Sequence, residues 1–123
     1  MEKGLTFTSK TTVCAQNIAK AMGSGDLEVF ATPAMAALME NAAMNAVSKA
    51  LPEGTTTVGA LLDISHLRPS GVGENVEAMA SLEDVDGRKL TFRVIASDSK
   101  GLIGEGKHVR YVVDVEKFMS KLR

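Results

Sequence analysis

Thr32-Pro33-Ala34-Met35-Ala36-Ala37-Leu38-Met39-Glu40-Asn41-Ala42-Ala43-Met44-Asn45-Ala46-Val47 is the stretch that decides how this chain folds. Thr-Pro opens it. Threonine is a good N-cap, and proline is tolerated at the first helical position because its missing N–H would be unpaired there anyway. Good helix formers follow, and Leu51-Pro52-Glu53-Gly54 ends the run, so the reading is one helix from Thr32 to about Lys49 or Ala50. Glu40 is the only charged residue between Glu28 and Lys49. Its neighbours are small and apolar, so other protein can surround the helix. A carboxylate there loses solvation and is costly unless it is paired, which is the setting in which reactive acids are found.

Outward from the helix the period changes. Downstream, Val58, Ala60, Leu62, Ile64 and His66 alternate on one face of a strand, which Arg68-Pro69-Ser70-Gly71 ends. Val76, Ala78, Ala80 and Leu82 mark a second strand, Asp86-Gly87 a hairpin, and Leu90, Phe92, Val94 and Ala96 a third. After Asp98-Ser99-Lys100-Gly101 a long strand runs from Ile103 to Val115, and Glu116–Arg123 is a polar tail with a helical turn anchored by Phe118. Upstream, Gly4–Val13 reads as a strand and Gln16–Met22 as a helical turn, with a break at Gly23-Ser24-Gly25-Asp26. One apolar helix and a run of strands joined by tight turns make an α+β fold: a curved, mostly antiparallel sheet wrapped around a central helix.

Size and composition narrow the function. The 123 residues read as a single domain, 1–123, long enough for a real core. A formal net charge of −1, no basic block and 4% aromatic residues argue against nucleic-acid binding by charge or base stacking. Pro33, Glu40, Asn41 and Asn45 argue against the helix spanning a membrane. One cysteine, Cys14, excludes an intrachain disulfide and a Cys-rich metal site and fits a reducing cytoplasm. No metal ligand set is read.

Three motifs sharpen the picture: Phe30-Ala31-Thr32-Pro33 with Leu38-Met39-Glu40, Thr57-Val58-Gly59 with Ser65-His66, and Ile103-Gly104-Glu105-Gly106-Lys107-His108-Val109-Arg110. In order and spacing they resemble the fluoroacetyl-CoA-thioesterase-like branch of the hotdog superfamily, from about Leu5 to Phe118. The resemblance implies a hotdog fold, hydrolysis of acyl-CoA thioesters, and a homodimer or dimer of dimers whose sites form where subunits meet. It implies a catalytic threonine, glutamate and histidine at Thr32, Glu40 and His66, with a glycine close to the reacting group at Gly59. No separate cofactor is implied, because the coenzyme A moiety is part of the substrate. In the fluoroacetyl-selective member, aromatic residues before the helix serve as a lid. Here that segment is Met22-Gly23-Ser24-Gly25-Asp26, so the resemblance carries thioester hydrolysis over and not fluoroacetyl selectivity.

The chemistry of the residue types agrees. Glu40 is a nucleophile or a general base for water, and the sequence leaves both open. His66 can orient or activate Glu40 or Thr32, or protonate the departing thiolate. Thr32 has a plain role as an N-cap and stands about 12 Å from Glu40 along an ideal helix, so the two flank a substrate or a histidine. Gly59 interrupts a strand, as a bulge or a point of close ligand approach. Gly104-x-Gly106 lies in strand pattern with no following helix and is not a dinucleotide loop. His108 and Arg110, two apart on one strand face, can bind a CoA phosphate or a substrate carboxylate, or form a solvated or inter-subunit face. Two alternatives remain beside a thioesterase: a non-catalytic acyl-CoA-binding hotdog protein, and a dehydratase or hydratase. The last is disfavoured because Glu40 and His66 fall on separate elements.

Overall fold

The computed structural model describes the whole chain, Met1–Arg123. Five strands, β1 (Thr6–Thr12), β2 (Thr55–His66), β3 (Asn75–Asp86), β4 (Lys89–Asp98) and β5 (Gly101–Asp114), form one antiparallel sheet in the order β1-β3-β4-β5-β2. The helices are α1 (Ala19–Met22), α2 (Thr32–Val47) and α3 (Val115–Ser120), and a 3-10 turn at Ser48–Ala50 follows α2. No helix is long and apolar enough to cross a membrane.

The core follows from two periods meeting. Met35, Met39, Ala42, Ala43 and Val47 lie on one stripe of α2 and are all buried. Val76, Ala78, Ala80 and Leu82 of β3 and Leu90, Phe92, Val94 and Ala96 of β4 face that stripe at every second position. Alanines on both sides let the backbones approach closely. α2 packs chiefly on β3 and β1, and much less on β4 and β2. The inner face of the β5–β2 margin is therefore poorly covered by the chain's own helix.

The glycines of β5 explain how the helix start is seated. A β-carbon on Gly104 would stand 2.6 Å from Met35 Sδ and 2.9 Å from the Ser65 carbonyl oxygen. One on Gly106 would overlap the Asp63 carbonyl oxygen. These residues make room for a methionine and a neighbouring strand, in keeping with the reading that they form no dinucleotide loop.

Three details differ from the sequence reading. The N-cap is Ala31, in extended conformation, and Thr32 already belongs to the helix. The first helical bond runs from Met35 N–H to the Ala31 carbonyl, so the Thr32 hydroxyl is not the cap and is free for another partner. Second, β2 does not alternate throughout. Its register against β5 shifts between Gly59 and Leu61, so Ala60 is an extra residue. Gly59 pairs with Arg110 and Leu62 with His108, which puts Thr57 and Gly59 on the inner face with Leu62, Ile64 and His66 and sends Val58 to the other side. Third, Phe118 does not anchor the tail. It is partly exposed at 36%, and Val115, Met119 and Leu122 beside it are exposed further.

The Gly104 contact gives a stability test. Gly104→Ala should lower unfolding stability by about 1–3 kcal/mol, since the Ser65 carbonyl cannot swing away as a side chain can. Urea titration of the two proteins measures this, and an unchanged midpoint would show that the strands separate freely there.

Candidate active site

Two groups of polar residues line the uncovered margin. The first is built by the start of α2 and the end of β2. His66 is the last residue of β2 and pairs with Gly104, the glycine under Met35. Thr32 lies one turn before Met35, which brings it over His66. Thr32 Oγ1 and His66 Nδ1 are 2.8 Å apart. His66 Nε2 is enclosed and has no hydrogen-bond partner. Burial lowers the His66 pKa below the usual histidine range, so the ring is neutral near pH 7. A neutral ring either accepts the Thr32 hydroxyl hydrogen at Nδ1 or donates Nδ1–H to its oxygen, and the second tautomer leaves the hydroxyl's own hydrogen free for another acceptor.

The pair opens on a cavity of about 350 Å³ lined also by Phe30, Val29, Leu27 and Arg68. Ser24, Gly25, Asp26 and Leu27 line it as well, with Leu27 68% exposed. The first three belong to the segment without aromatics.

The loop after His66 is pinned. Arg68 Nη2 donates to Asp98 Oδ1 at 2.6 Å and to the Gly101 carbonyl at 3.2 Å, and Ser70 Oγ donates to Asp98 Oδ2 at 2.7 Å. Burial would raise the Asp98 pKa, but the bonds from Ser70, Arg68 and the Lys100 N–H outweigh it and hold the carboxyl at about 2.

The second group surrounds Gly59. Its ideal β-carbon position is 3.1 Å from Glu40 Oε2, 3.4 Å from His108 Cε1 and 3.5 Å from Arg110 Nη1. The missing side chain therefore leaves a small space bounded by a carboxylate, an imidazole edge and a guanidinium. Glu40 forms no hydrogen bond and no ion pair with Arg110 or any other cation. It is half-buried, not dry as the sequence suggested, because no element of the chain covers this margin. His108 and Arg110 are buried, not solvated. Arg110 Nε donates to Thr57 Oγ1 at 2.8 Å, Nη2 to the Thr57 carbonyl at 3.0 Å, and Nη1 to His108 Nε2 at 3.2 Å.

The fold thus joins Thr32 to His66, and Glu40 to Gly59, His108 and Arg110. It does not join the two groups within one chain: Thr32 and His66 line one cavity, while Glu40, Gly59 and Arg110 line another of about 460 Å³. Sequence reasoning missed Thr57, which strict alternation placed on the wrong face. Its place in the Thr57-Val58-Gly59 motif was the signal. It also missed Asp98, which reads as an ordinary turn residue. No group of three or more His, Cys, Asp or Glu is placed to hold a metal ion.

A helix seated in a five-stranded antiparallel sheet, with a Thr–His pair at its start and an acid two turns on, defines a hotdog domain of the thioesterase type. The model of the family "Fluoroacetyl-CoA-specific thioesterase" matches residues 13–116. A fluoroacetyl-CoA thioesterase from Streptantibioticus cattleyicolor is 40% identical over 96 residues, covering 78% of this chain and 69% of that protein. A solved structure of a fluoroacetyl-CoA thioesterase superposes with a TM-score of 0.92 at 33% identity, over 100% of this chain and 96% of the other. A Thermus thermophilus protein described as a thioesterase superfamily member gives 0.92 at 26% identity, over 99% and 90%. The chain belongs to the fluoroacetyl-CoA-specific thioesterase family, and with it to the thioester hydrolases.

The Asp98 network sets an acid limit. A carboxyl whose folded pKa is depressed stabilises the fold fully above its ordinary pKa, near 4, and loses that contribution as pH falls through about 2. The contribution is about 2 kcal/mol. Unfolding midpoints of the wild type should fall between pH 4 and pH 2, and those of Asp98→Asn should fall less steeply over the same interval. Parallel curves would remove Asp98 as the cause.

Proposed function

We propose that the protein hydrolyses a small acyl-CoA thioester, with Thr32, Glu40 and His66 as the working set. The observation that carries this reading is the Thr32–His66 hydrogen bond in the wall of a cavity, made by a hydroxyl that capping would otherwise use. Two mutants of a related fluoroacetyl-CoA thioesterase have been solved, one with acetyl-CoA and one with fluoroacetate and CoA, which supports a CoA thioester as substrate.

The chemistry is simple. A thioester carbonyl is electrophilic and its thiolate leaves readily, so an attacker and oxyanion stabilisation suffice. Glu40 either attacks the carbonyl carbon, breaking the C–S bond to give an acyl-glutamyl anhydride that water opens, or it takes a proton from the water that attacks. Both routes end in a carboxylic acid and free CoA. The Thr32 hydroxyl donates to the carbonyl oxygen as it gains charge. His66 orients that hydroxyl and relays a proton to the thiolate. Gly59 gives the acyl group its space, and Arg110 presents its cation across that space.

The separation of Thr32 and His66 from Glu40 calls for a second copy. β2 is an edge strand, and its outer backbone groups are unpaired within the chain. Antiparallel pairing of β2 with its own copy, centred near Leu62 just past the bulge, would set His66 of one chain near Thr57–Gly59 of the other. Glu40 stands over Gly59, so each site is completed across the boundary, in a homodimer or a pair of such dimers.

Thiol release from a panel of acyl-CoA esters tests the reading. Glu40→Gln should lose about 100-fold to 10,000-fold in kcat with an unchanged melting temperature. Retained turnover removes Glu40 from the mechanism, and binding without release by the wild type favours a non-catalytic acyl-CoA-binding protein. Mixing Thr32→Ala with Glu40→Gln subunits tests the shared site. Half of the dimers are then mixed and each carries one intact site, so about a quarter of the wild-type rate should return. No recovery would place the set within one chain. Gly59→Ala should keep the fold, since the added carbon meets side-chain ends, and should lower kcat/KM by about tenfold or more.

A further inference from the structure

His108 is the one fully enclosed titratable residue of this margin, 0% exposed, and the chemistry above gives it no task. Its two ring nitrogens have different partners. Nδ1 stands 2.8 Å from the Leu61 carbonyl oxygen, which can only accept, so Nδ1 carries the proton. Nε2 is then a lone pair, and it accepts from Arg110 Nη1. The Leu61 carbonyl lies directly after the Ala60 bulge, so the bulge that turns Gly59 inward also fixes the tautomer of His108.

We propose that His108 is a positioning residue that holds the Arg110 guanidinium aimed across Gly59 toward Glu40. Three bonds lock the guanidinium: Thr57 takes Nε–H and one Nη2 hydrogen, and His108 takes one Nη1 hydrogen. Nη1, which faces the space over Gly59, keeps a second hydrogen for the acyl group or for Glu40. Without an acceptor at residue 108, Nη1 loses its only tether and the guanidinium can swing toward the carboxylate. Thr57 alone holds the Nε–Nη2 edge and leaves the Nη1 corner free to tilt about it. A direct Arg110–Glu40 ion pair would then tie up both groups.

The arrangement works only while His108 is neutral. A protonated ring would aim an N–H at Arg110 and break the tether. The charged groups facing the ring are Arg110 on its own strand and Glu40 from α2; the nearby Phe92 ring on β4 is apolar. Burial, with Arg110 adding to it, outweighs the Leu61 bond and the Glu40 charge and lowers the His108 pKa below the ordinary range. The device is therefore intact at neutral pH and fails as pH falls through that lowered value.

This inference rests on the hydrolase reading for its kinetic arm but not for its structural arm. His108→Gln keeps an acceptor for Arg110 and a donor for Leu61, whereas His108→Leu keeps neither. With acetyl-CoA, or whichever ester of the panel the wild type turns over fastest, His108→Leu should lose about 10-fold to 100-fold in kcat/KM, the size expected for a lost bond to a charged group. His108→Gln should recover most of it, and the step that His108 contributes to the acid limb should be absent. In parallel, the Arg110 Nη1–H resonance in the NMR spectrum of each protein reports the tether. It should be sharp and slow to exchange in the wild type and in His108→Gln, and lost in His108→Leu. A His108→Leu protein with wild-type rate and an unchanged Arg110 signal overturns the proposal. So does a folded His108→Gln that keeps the Arg110 signal but is as slow as His108→Leu, since that outcome assigns the imidazole a proton-transfer role. If the wild type hydrolyses no ester, the hydrolase reading falls and the Arg110 resonance alone decides whether His108 holds the guanidinium.

Discussion

The seat of Met35 on Gly104 is the contact on which the rest of the site depends. A strand position without a side chain lets the first turn of α2 settle onto β5. Gly104 also pairs with His66, so the same position aligns the strand end beneath the helix start. Thr32, one turn earlier, then falls within hydrogen-bond distance of the ring. A larger residue at 104 would lift the helix and separate the pair before it disturbed the distant core.

The Ala60 bulge makes the second constraint. One extra residue in β2 changes which side chains face inward, and it does so beside the groups that need space and charge. Thr57 turns in to hold Arg110, Gly59 turns in to leave a gap, and the Leu61 carbonyl fixes His108. The result is a cation and a carboxylate close to one space without a bond between them. Such an arrangement persists only if each group is held from behind, since free side chains of opposite charge would meet.

α2 covers β1 and β3 and leaves β5 and β2 open. This asymmetry makes Glu40 half-buried in the single chain and leaves β2 an edge. Fold and site share that open margin. On the proposed reading, the desolvation that a reactive Glu40 needs is incomplete in the single chain and has to come from what meets the margin, a second copy or the acyl group itself.

The α+β order, the single apolar helix and the hairpin at Asp86-Gly87 were legible in the sequence, because hydrophobic period and turn chemistry act locally, and so were the candidate site residues by type. Thr32, Glu40, Gly59, His66, His108 and Arg110 all stood out by residue type and setting. Which of them meet was decided only in three dimensions. Period assigns a residue to a face while the register is unbroken, and the Ala60 bulge breaks it, so Thr57 was misplaced and Gly59 read without its neighbours. Capping chemistry explained Thr32 locally, yet its hydroxyl went to His66, because a contact across 34 residues is fixed by packing at Gly104 and leaves no trace in local pattern.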